Sequence, residues 1–138
     1  MNLFNFFKSS KKENQNAVVN SIGRFTFVEF DGTKNFKGII NSKINDNIEL
    51  LFPINNNEIS VYQIEYFKKI ENSWDSILQK LTDKNQQINF ENFEVVNILI
   101  PDQGNEFYEE HAEIVLKKNS NIISVILKDL NVEEIIES

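Results

Sequence analysis

Between Ile59 and Leu81 apolar side chains recur at steps of three and four: Ile64, Phe67, Ile70, Trp74, Ile77, Leu78 and Leu81. That spacing draws one stripe down an α-helix, whereas a strand alternates its side chains between two faces. The start of the helix is equally marked. With Ser60 as N-cap, Gln63 falls at N3 to complete a capping box, and Ile59 and Ile64 take the two positions of a hydrophobic staple. The spacing predicts a single helix over about 60–82, with Lys68, Lys69, Asp75 and Lys80 on its solvated side. A helix with one apolar stripe needs an apolar layer to cover it. Trp74, on the stripe, reads as a core aromatic.

The covering layer is legible on both sides of the helix. Ile22–Phe30 is dense in Phe and Val and ends at Asp31-Gly32, a tight-turn pair. Phe36–Ile44 reads as the second strand. Ile48, Leu50, Phe52 and Ile54 alternate along a third, with Pro53 at a sheet edge or near the strand's end. Beyond the helix, Ile88–Phe93 suits a short helical turn and Glu94–Ile100 a strand, stopped by the turn cluster Pro101–Asn105. Phe107–Lys117 and Ile122–Lys128 are its hairpin partners. The tail from Asn131 to Ser138 spaces Val132, Ile135 and Ile136 as a final helical turn would. The expected fold is α+β: a mostly antiparallel sheet, with an N-terminal three-strand meander and two or three C-terminal strands, packed by one amphipathic helix. Residues 21–138 form the domain. Ahead of them, residues 1–20 read as an apolar and basic leader (Leu3, Phe4 and Phe7, then Lys8, Lys11 and Lys12) running into a polar linker over 9–20. The leader is too short to span a bilayer. It suits docking on the domain, a partner's groove, or a membrane surface touched through residues 3–7. The linker behind it makes removal of residues 1–12 neutral for stability.

Composition narrows the function. The 138 residues contain no cysteine, which excludes disulfides, thiolate metal sites and cysteine nucleophiles. Asn (21) and Ile (19) crowd out Ala (2) and Arg (1), the codon signature of a low-GC, bacterial genome. The net charge of −7 argues against nucleic acid as a partner. That charge is uneven: residues 1–85 carry +1 and residues 86–138 carry −8. An acidic C-terminal third steers a basic partner.

Candidate chemistry is thin. The only histidine, His111, lies in Glu109-Glu110-His111-Ala112-Glu113. On a strand, Glu109, His111 and Glu113 would share one face about 7 Å apart, a weak set of metal ligands or a weak base. No Gly-rich phosphate loop, Ser-x-Gly elbow or second histidine is present, and no cofactor is implied.

The order of elements, from Ile22-Gly23-Arg24-Phe25-Thr26-Phe27 through a Trp-bearing helix to Phe107-Tyr108-Glu109-Glu110-His111-Ala112-Glu113-Ile114, resembles small uncharacterised bacterial domains of unknown function. Some small acidic domains of that build serve as immunity proteins beside toxins. The resemblance and the charge together give the expectation of a non-enzymatic cytoplasmic protein. It would bind a basic protein through Glu106, Glu109, Glu110 and Glu113, an immunity-type role being the most concrete form. The alternatives are an enzyme acting on a small molecule or dependent on a metal, built on His111 and nearby carboxylates, and a membrane-surface or complex subunit held by residues 3–7.

Overall fold

The computed structural model describes residues 13–138, with side chains from Ala17 onward; the leader expected over residues 3–12 lies outside the described residues. Eight strands form one sheet in the order of the chain. They are β1 (Glu13–Val19), β2 (Arg24–Phe30), β3 (Thr33–Ile40), β4 (Ile48–Pro53), β5 (Glu94–Leu99), β6 (Ala112–Lys118), β7 (Asn121–Lys128) and β8 (Asn131–Glu137). Every neighbouring pair is antiparallel except β4 and β5, which run parallel with Leu50 beside Ile98. Parallel neighbours require a crossover. It is supplied by α1 (Val61–Asn72), α2 (Trp74–Lys84) and a single 3-10 turn at Phe90–Asn92. The fold is α+β, as the sequence predicts.

Four expectations are corrected. Residues 13–19, read as linker, form the edge strand β1, so the domain begins at least eight positions earlier and the N-terminal meander has four strands. The predicted single helix is two, parted at Ser73 with φ −108° and ψ 14°. The Ser73 N–H still donates to Lys69 O and its carbonyl accepts from Ile77 N, both at 2.9 Å, so the helical hydrogen bonding runs on through a residue that leaves helical backbone geometry. The tail is strand β8 rather than a helical turn, and the C-terminal meander therefore has four strands instead of two or three. Finally, β6 starts at Ala112, five residues later than expected, with a loop in place of its first part.

The helices cover one face only. Phe67, Ile70, Ile77 and Leu81 from the predicted stripe join Phe25, Phe52, Ile98, Ile114 and Val125 in the main core. Each fully buried side chain of this size contributes roughly 1.5–3 kcal/mol. Trp74 is half-buried at the margin of this core. Gly38 on β3 is required by close packing: a Cβ there would lie 2.5 Å from Arg24 O and 2.7 Å from the Phe25 ring.

Candidate functional site

The capping box found in the sequence does more than start a helix. Gln63 is fully buried; its Oε1 accepts from Ser60 N at 3.0 Å, and its Nε2 donates to Pro53 O at 2.6 Å and Ile100 O at 2.9 Å. One amide side chain thus pins the N-terminus of α1 to the carboxyl ends of both parallel strands. Ser60 Oγ in turn donates to Asp102 Oδ1 at 2.7 Å, and the same oxygen accepts from Gln103 N at 2.8 Å. Asp102, 8% exposed, is therefore a structural anchor for the loop that follows β5.

That loop, residues 100–111, is built on its own polar side chains. Asn105 Oδ1 accepts from Phe107 N at 3.0 Å and Tyr108 N at 3.1 Å, an Asx-type turn. Asn105 Nδ2 donates to Asn55 Oδ1 and Asn55 Nδ2 to Gln103 O, tying the loop to the connection before α1. Glu109 and Glu110 both take left-handed backbone, φ 52° and 65°. For a non-glycine residue this conformation costs about 1 kcal/mol or more. The Gly104 N–H donates to Glu110 Oε1 at 3.1 Å, so part of the strain is offset within the loop.

The loop also settles where the predicted site residues lie. Glu106, Glu109 and Glu110 are exposed on it, while Glu113 is half-buried on β6 and His111 half-buried just ahead of that strand. The turn at Glu109–Glu110 breaks the expected i, i+2 alignment, so Glu109, His111 and Glu113 do not share a strand face. Among the described residues, no three His, Asp or Glu side chains come together as metal ligands. Two of the four glutamates line separate clefts. Glu106 lines one of about 530 Å³ with Thr33, Lys34, Asn55 and Phe107. Glu113 lines another of about 280 Å³ with His111, Tyr108, Ser124 and Leu99.

Sequence reasoning missed the aromatic part. Phe107 is 49% exposed and meets Tyr108 edge-to-face, with centroids 4.8 Å apart. It also missed how far the acidity extends. The Tyr62 phenol is raised above its ordinary value first by burial, then by Tyr66, Glu110, Asp129 and Asp102. Carboxylates from the β5–β6 loop and the β7–β8 turn thus act on one point beside the first turn of α1. Tyr66, also raised chiefly by burial, accepts at its hydroxyl from Leu130 N at 3.2 Å and holds that turn in place. Tyr108 is pushed up to about 12 by burial and by Glu113.

No family model, curated protein or solved structure matches the chain. Among the described residues, no helix is long and apolar enough to cross a membrane.

Proposed function

We propose that this protein works by binding a basic protein at the end of the sheet where β5 gives way to its loop, with Glu106, Glu109 and Glu110 as the charged contacts and Phe107 as the apolar anchor. An immunity-type role, masking a basic toxin, is the most concrete form of that reading. The observation that carries it is the loop backbone. Two consecutive glutamates are held in left-handed conformation beside a half-exposed phenylalanine. Strain of this kind persists where surrounding structure fixes it, and it clusters at binding sites. An exposed aromatic ringed by charge matches the anchor-and-rim pattern of protein interfaces. Asp102 and Asp129, both acting on Tyr62, extend the same negative field.

The test uses the whole chain as bait beside Phe107→Ala and a triple Glu106→Lys, Glu109→Lys, Glu110→Lys variant. A basic partner lost with both variants is the expected result. Its on-rate should fall by about tenfold or more between roughly 50 and 500 mM salt while the off-rate changes little. An acidic partner, or an on-rate indifferent to salt and to the reversals, refutes the proposal. A small-molecule reading is favoured by a separate observation, the cleft that gathers His111, Glu113, Tyr108 and Ser124. The triple variant leaves that cleft's residues in place, so the two readings are separable.

A further inference from the structure

The sheet face turned away from the helices carries an apolar centre of its own. Val28, Leu51, Leu99 and Val115 are at most 2% exposed and form a cluster that, among the described residues, contains no helix residue. The register sets them side by side across the sheet: Leu51 lies beside Leu99, and Val115 beside Asn97. Asn35, fully buried and paired with Val28 across β2 and β3, belongs to the same face. Its Nδ2 donates to Val28 O, Thr33 O and Thr33 Oγ1, which fixes the orientation of the amide, yet among the described residues its Oδ1 accepts nothing. An apolar sheet face needs a second layer, and a buried acceptor needs a donor. The cover that satisfies both has apolar side chains and a free N–H.

We propose that the cover is the chain's own N-terminal segment, with Leu3-Phe4-Asn5-Phe6-Phe7 laid across this face. The reach is right. The chain joins β1 at Glu13, which pairs with Val28, the first strand of the cluster. Residues 3–7 lie six to ten positions upstream, a span of about 20–34 Å when extended. The farthest strand of the cluster, β6, is five strands from β1, or about 24 Å. The chemistry is right as well. Four of the five residues are apolar, matching the centre of the face, whose charged positions by register (Arg24, Lys37 and Lys117 with Glu49, Glu113 and Glu134) are of both signs. The leader is then a layer of the fold, and its removal is no longer neutral as the sequence alone implies.

Because the chain has no cysteine, a single introduced thiol reports on this face without background. Thr26→Cys places it beside Val28, and Val61→Cys, at a position 74% exposed on α1, is the control. Both are made in the full chain, in a chain lacking residues 1–12, and in a full chain carrying Leu3→Ser, Phe4→Ser and Phe7→Ser. The triple substitution serves if the truncated chain fails to fold. Both changes should lower Tm by about 5 °C or more. They should also raise alkylation at position 26 severalfold, leaving position 61 unchanged, and increase binding of a hydrophobic dye. A Tm within about 1 °C of the parent together with unaltered alkylation overturns the proposal. So does leader-dependent binding to phosphatidylglycerol vesicles at unchanged Tm, which makes the segment a membrane contact. A concentration-dependent dimer lost on truncation also overturns it, since a second copy would then be the cover.

Discussion

Replacing Gln63 by leucine keeps the volume of the side chain and removes all its polar contacts at the junction of α1 with β4 and β5. Four hydrogen bonds go: those with Pro53 O, Ile100 O and Ser60 N, and a longer one from Ser60 Oγ at 3.4 Å. Pro53 O keeps a second donor, Asp102 N at 3.1 Å, so its loss is partial. Ile100 O, on a residue 1% exposed, loses the Gln63 donor at a site closed to solvent. A buried group left unsatisfied costs about 1–3 kcal/mol. The lost half of the capping box, at half-buried Ser60, adds about 0.5–1 kcal/mol. The expected destabilisation is therefore about 2–4 kcal/mol, far above the usual effect of a surface Gln-to-Leu change. Urea melts followed by far-UV circular dichroism and by Trp74 fluorescence measure it, the slope m being checked between variants so that a midpoint shift reads as stability. A loss under about 1 kcal/mol, with coincident transitions, refutes the claim that this amide clamps helix to sheet.

Two further outcomes follow from the loop and its neighbour. Between pH 10 and about 12 the folded chain keeps on Tyr108 a proton that the unfolded chain has released. Stability is unaffected by this group below pH 10 and falls above it by at most about 1.4 kcal/mol per pH unit. Tyr108→Phe should flatten that part of the decline in melts taken from about pH 9 to 11.5, and equal slopes in the two proteins refute the assignment. Glu109→Gly relieves a left-handed backbone at an exposed position. It should stabilise by about 0.5–1 kcal/mol, whereas Glu109→Val should destabilise by at least as much. The reverse order in thermal melts would show that the backbone there is not strained.

What the sequence disclosed, and what it hid, follows from which interactions are local. The start of α1 was legible because a capping box and an apolar stripe are written within a few residues of each other. Gln63 was seen as a cap yet not as a clamp, since its other two partners lie 10 and 37 residues away. The break at Ser73 leaves the stripe's spacing intact and so left no trace. Strand β1 was hidden by its composition: Glu-Asn-Gln-Asn is linker-like, and only pairing along β2 makes it a strand. The last hairpin was hidden by its turn. Asp31-Gly32 announces itself through glycine, whereas Asp129-Leu130 takes the same left-handed course, φ 50° and 65°, without one. The hydroxyl of Tyr66, 64 residues away in sequence, meets Leu130 N there. At the candidate site the expected sharing of one strand face by Glu109, His111 and Glu113 failed for the same reason, two left-handed residues that carry no glycine.

The parallel junction of β4 and β5 divides the sheet into two halves with very different chain economy. Residues 13–53 and 94–137 are each meanders whose strands meet across turns or moderate loops. The junction between them closes the 40 residues from 54 to 93. By the logarithmic scaling of loop closure this costs about 2–3 kcal/mol more than a two-residue hairpin. Each half can find its neighbours locally and early, while the central seam depends on a distant encounter that the helices must stabilise. The seam is where cooperativity of the whole domain is decided: without the helical clasp, the centre of this sheet becomes two new edges.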